Sequence, residues 1–197
     1  MGLVVALLLI PLLIAAMSGA VSVVSSVTAS AVDLQEAAAF AAKAAAATVE
    51  PSSQAAGNPR ILSAAAHDSF RRVLADNLGL DAATMAGLSG SFWSGPVKYW
   101  LVVYNGDDAY APAGALRARL YRFDGSAVTE SDLAGSGFPA RFAVGPSGIT
   151  VGPGGTYTVE LSSPGVVALV EGEIKRAAGD VPMRAQRWAA ARVVVRR

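Results

Sequence analysis

GLVVALLLIPLLIAAMSGAVSVVSSV, residues 2–27, governs how the rest of the chain is read. No charged side chain occurs from Met1 to Val32, and the polar residues of the quoted run are all serines. More than about 18 such residues in succession read as a membrane-compatible helix. As a helix rising about 1.5 Å per residue, the uncharged run would extend about 48 Å, well past the roughly 30 Å of bilayer hydrocarbon. A secretory signal peptide opens with a basic stretch and ends a shorter apolar core at a small-residue cleavage site. Here the first cation is Lys43. Apolarity that begins at residue 1 is what remains when a short basic leader is removed from in front of it. A signal anchor of unusual length is the plainer alternative.

Beyond the uncharged run lies VDLQEAAAFAAKAAAATVEPSS, residues 32–53, in which Asp33, Glu36, Lys43 and Glu50 are scattered among alanines. Alanine is the best helix former, so the helix is expected to continue to about Val49 and to stop before Pro51. Residues 1–50 thus read as one helix of about 70 Å. Leu34, Ala38, Phe40, Ala41 and Ala45 fall close to helical spacing and offer a face to a globular domain. Pro11 removes a backbone donor and predicts a kink or a locally opened turn. Small residues such as Gly2, Ala6, Ser18, Gly19 and Ser22 would let neighbouring helices approach closely, although membrane-helix composition alone accounts for many of them.

Working outward again, PSSQAAGNPR (51–60) is a turn-rich connector and opens a head of residues 51–197. Ile61, Ala65, Phe70, Val73, Leu74 and Leu78 recur at helical spacing before Gly79, which predicts an amphipathic helix over about 60–78. After Gly95 the period changes to two. VKYWLVVY (97–104), ALRARLYRF (115–123), PARFAV (139–144), TYTVEL (156–161), GVVALVEGEIKR (165–176) and RWAAARVVVRR (187–197) are the strand candidates. Asn105-Gly106, Asp124-Gly125, GPSG (145–148) and GPGG (152–155) supply the turns between them. Connections this short make antiparallel neighbours. The expected fold is therefore α+β: a long N-terminal hydrophobic helix followed by an antiparallel sheet over about 97–197, one face of which the helix can cover.

Composition narrows the chemistry. The 197 residues suffice for one ordinary domain and an appendage, and 53% hydrophobic against 16% charged residues is more apolar than a wholly water-facing surface allows. The absence of cysteine excludes disulfides, thiolate metal sites and cysteine nucleophiles. His67 is the single histidine, so a histidine cluster is impossible, and its neighbours Asp68 and Ser69 would not face it on a helix. Asp107 and Asp108 lack the rest of a calcium loop and read as a hydrophilic hairpin tip. GPSG and GPGG lack the lysine and helix of a phosphate loop. Neither a catalytic centre nor a metal or cofactor site is expected. Lys175, Arg176, Arg184, Arg187, Arg192, Arg196 and Arg197 crowd the end of the chain against Asp180. Their alternation with apolar residues reads as a wet strand face balanced by acids of a neighbouring subunit rather than as a nucleic-acid patch.

Taken together, the apolar helix from residue 1, the interruption at Pro11, the alanine-rich continuation and the β-rich head make the chain resemble a type IV pilin-like filament subunit. The stretch Ala6 to Ile14, ALLLIPLLI, is similar to the apolar-proline-apolar stretch of the pseudopilins of tight-adherence pili. Type IV pilins carry glutamate at the fifth mature position, where this chain has Val5, so either the register of processing or that docking contact differs here. The resemblance implies cleavage by a prepilin peptidase that leaves Met1 as the processed N-terminus, and residence in the inner or cytoplasmic membrane before assembly. It further implies a self-assembled helical filament, built with the pilus assembly machinery and exposing the heads on the cell surface for adhesion. Leu3, Leu7, Ile10, Pro11, Ile14, Met17, Val21 and Val24 would then pack the filament core.

Two other classes share these features. A membrane-anchored extracytoplasmic binding or secretion component would use the apolar helix only as a tether and would not polymerise. A membrane-bound hydrolase would need His67 or an acid pair in a cleft.

Overall fold

The computed structural model describes residues 33–106, 117–175 and 182–193. Among the described residues, three helices and eight strands form three layers. Helix α1 covers residues 33–46, a short α2 Pro51–Ala55 and α3 Ser63–Leu78. Five strands make the central antiparallel sheet in the order β3-β2-β1-β7-β8, with β1 Lys98–Tyr104, β2 Ala118–Phe123, β3 Val128–Asp132, β7 Gly165–Ile174 and β8 Met183–Arg192. A second antiparallel sheet orders β5-β4-β6, with β4 Ala140–Gly145, β5 Gly148–Val151 and β6 Tyr157–Leu161.

The central sheet is covered on both faces, and the sequence of its middle strands follows from that. Alternation normally marks a sheet wet on one side, whereas a strand buried on both sides reads as an unbroken apolar run. In β1, Tyr99, Leu101 and Val103 face the helices while Trp100, Val102 and Tyr104 face the second sheet. Likewise β7 sends Val166, Ala168 and Val170 to the helical layer and Val167 and Leu169 to the sheet layer. The second core is completed by Phe142, Val144, Ile149, Val159 and Leu161. Gly172 allows a close fit near the end of β7: a Cβ there would lie 2.4 Å from the Trp93 ring, which packs directly over the glycine.

The fold departs from the sequence expectation in its defining element. Among the described residues there is no long apolar N-terminal helix, and none of their helices is long and apolar enough to cross a membrane. Helix α1 ends at residue 46, short of Val49, because the chain there changes partners. Val49 bridges to Ile61, and Glu50 N donates to Arg60 O at 2.8 Å while Leu62 N donates to Thr48 O at 3.0 Å. Thr48 and Val49 are β-branched and suit this extended pairing better than another helical turn. Residues 1–32 lie outside the described residues. The single expected sheet is instead two: the GPSG and GPGG turns join β4, β5 and β6 into a separate sheet, which packs over the central one.

Candidate functional site

Every residue assigned to filament-core packing, Leu3, Leu7, Ile10, Pro11, Ile14, Met17, Val21 and Val24, lies outside the described residues, as does Met1. What is described is the junction through which the chain leaves the uncharged segment and enters the head. Helix α1 turns Leu34, Ala37, Ala38, Ala41, Ala42, Ala45 and Ala46 into the core it shares with α3 and the central sheet, each no more than 4% exposed. A face built almost wholly of alanine lets the helix lie close to the sheet while contributing strong helix propensity. Asp33, Gln35, Glu36, Phe40 and Lys43 occupy the outer side, and Gln35 Nε2 donates to Trp188 O on edge strand β8 at 3.0 Å. The Lys43 ammonium lies over the Phe40 ring, 5.6 Å from its centroid.

A clasp of buried polar groups fixes the end of this junction. Glu50 caps α2, its carboxylate accepting from Ser52 Oγ at 2.5 Å and from Ser53 N at 2.6 Å. Those bonds hold the half-buried Glu50 carboxyl below its ordinary pKa, the Ser52 hydroxyl contributing most. Ser53 Oγ accepts from Arg60 N at 2.9 Å, and the buried Arg60 guanidinium donates to Asn105 O at 3.0 Å. Asn105 in turn reaches both main-chain polar groups of Ile61. Each backbone group that would otherwise be orphaned in a buried turn therefore has a partner supplied from far along the chain. Asn105-Gly106 reads in the sequence as turn chemistry alone; the structure adds the clasp, which no local spacing announces because Ile61 is remote in sequence.

His67 lies inside the helical layer, 7% exposed, with its ring stacked on Tyr121 at a centroid distance of 4.3 Å. Its Nε2 is 2.7 Å from the Tyr99 hydroxyl. Burial lowers the His67 pKa and pushes that of Tyr99 up to about 12, which favours the neutral form of both partners in this contact. Asp68 is exposed on the adjoining side of α3 and makes no triad with His67. The arrangement packs and satisfies a core histidine rather than presenting it to a substrate. Among the described residues no group of three or more His, Asp or Glu side chains is placed to hold a metal ion.

The basic C-terminal stretch is partly described. Arg184 on β8 pairs with Glu171 on β7, a carboxylate only 5% exposed, and Lys175 Nζ donates to Ser91 O at 3.0 Å. Arg176, Asp180, Arg196 and Arg197 lie outside the described residues, as do Asp107 and Asp108. The acid partner of Arg184 thus comes from within the same sheet.

No protein-family model matches the chain. Neither the curated proteins nor the solved structures contain a match to it.

Proposed function

We propose that this protein is a structural subunit of an extracellular filament of the type IV pilus kind. The observation that carries the reading is a continuity. Thirty-two uncharged residues lead directly into α1, and α1 is anchored along one face in the core of the head. Leaving one Leu or Val of that segment in water forfeits about 1.5–3 kcal/mol, so outside a bilayer the segment is covered by its like. Contacts between unlike patches of identical subunits give an open helical fibre when the rotation between neighbours does not close a ring. The heads then line the outside and carry adhesion or surface contact. Before assembly the segment is held in the cytoplasmic or inner membrane, where a prepilin peptidase and the assembly machinery are its partners. The role is architectural and needs neither cofactor nor catalytic group.

The test is to shear surface filaments from producing cells and identify their main subunit by mass spectrometry. Fibres composed of this chain support the reading. Recovery of the chain only from membranes, as monomers or small oligomers, replaces it with a tethered head.

A further inference from the structure

At the seam between the two sheets, edge strand β8 of the large sheet and edge strand β6 of the small one leave a cleft of about 230 Å³. Its floor is the buried Leu169 and Val144, and its walls carry Trp188, Tyr157, Gln186 and Thr156. The Tyr157 and Trp188 rings lie 5.7 Å apart at an angle of 36°, and Tyr157 is 53% exposed. An aromatic ring held half in water over an apolar floor is where a partner with a flat apolar face gains most. Polar groups stand beside the rings. Gln186 Nε2 sits 3.5 Å from Pro146 O and 3.4 Å from Glu171 Oε2, at the outer limit of hydrogen bonding. That amide is only loosely engaged and can turn to a stronger acceptor.

We infer that this cleft binds a terminal sugar ring of a glycan. A pyranose offers one face of C–H groups, which stacks on an aromatic ring, and a rim of hydroxyls, which suits the Gln186 amide, the Thr156 hydroxyl and the Pro146 carbonyl. The cleft is smaller than the roughly 300–1,000 Å³ sites that enclose drug-sized ligands, which fits one ring rather than an extended chain. A polyproline segment needs a row of aromatic ridges, and here there is one pair. Gly155 helps to shape this end of the small sheet. With φ +71 it brings the loop so close to β4 that a Cβ would lie 2.9 Å from Val144 O, and Thr156 N then donates to that same carbonyl at 3.0 Å. As an adhesive role the inference rests on the filament reading, whereas sugar binding itself is measured without any fibre.

The experiment uses the full chain in detergent micelles, titrated with a panel of methyl glycopyranosides and followed by saturation-transfer NMR. At least one glycoside binds, and Tyr157→Ala and Gln186→Ala each weaken it by about tenfold, the loss expected for one stacking or hydrogen-bonding contact. Tyr157→Phe retains binding, because the ring face is kept. Since Tyr157 is half exposed, its loss leaves the melting transition in place, which thermal unfolding of each variant checks. The inference is overturned if no glycoside binds the folded chain, if Tyr157→Ala binds as well as the unaltered chain, or if only a proline-rich peptide saturates the cleft. None of these outcomes touches the filament reading, which is decided by the sheared fibres.

Discussion

The Asn105 side chain spans the main chain of Ile61: Oδ1 accepts from Ile61 N at 2.8 Å and Nδ2 donates to Ile61 O at 3.0 Å. Asn105 is fully buried at the end of β1, and Ile61 also bridges to Val49 just past α1. One amide therefore ties the exit of α1 to the central sheet. Asn105→Ala removes both bonds and leaves a buried N–H and C=O unsatisfied, which costs about 2–4 kcal/mol. Chemical denaturation of the variant measures that loss. A change within a few tenths of a kcal/mol would show that the clasp is not what holds the junction.

His67 makes stability depend on pH. Its folded pKa lies below the ordinary 6.5, chiefly through desolvation, with Asp68 and Glu130 opposing the shift and Arg71 adding to it. The unfolded chain takes up its proton first as pH falls below about 6.5, so the folded state loses stability from there until its own imidazole protonates. At neutral pH the contribution is intact. His67→Gln keeps a polar partner for Tyr99 and removes the titration, so its melting temperature should vary less between about pH 7 and pH 5 than that of the unaltered chain. Parallel profiles for the two would place the acid sensitivity elsewhere.

Gly172→Ala tests the close fit in β7. The added Cβ would stand 2.4 Å from the Trp93 ring, whose Nε1 donates to Leu78 O at 3.2 Å. Moving the ring strains a well-packed core and loosens that bond, for a loss of about 1–3 kcal/mol. Thermal unfolding reads the change, and pairing the substitution with Trp93→Leu should recover part of it.

The sheet was legible where side chains alternate or run unbroken. ALRARLYRF carries the two-residue period of β2, and VKYWLVVY and GVVALV carry the apolar runs of β1 and β7, although a single-sheet reading does not say that a second sheet covers them. Strand β3, VTESD, carries no apolar period because it is a polar edge held by Arg119, which pairs with Glu130 at 2.8 Å and Asp132 at 3.0 Å. Strand β5 is too short for a period to register. Alanine propensity runs on to residue 47 and so predicts helix to about Val49, whereas the strand-like pairing of Val49 with Ile61 that ends α1 is a long-range contact. In the same way, nothing near Tyr157 in sequence foretells Trp188, since the cleft arises only when the two sheets stack.

The central claim is that the uncharged N-terminal segment builds a fibre. Ile14→Asp places a charge within it and changes no residue of the described head. Electron microscopy of sheared cell-surface material from cells producing either chain tests the claim most directly. Regular fibres of the unaltered chain, and none from Ile14→Asp with its head still resistant to protease, are the predicted result. Fibres of equal number and order from Ile14→Asp, or an unaltered chain found only as membrane-held monomers, would contradict it.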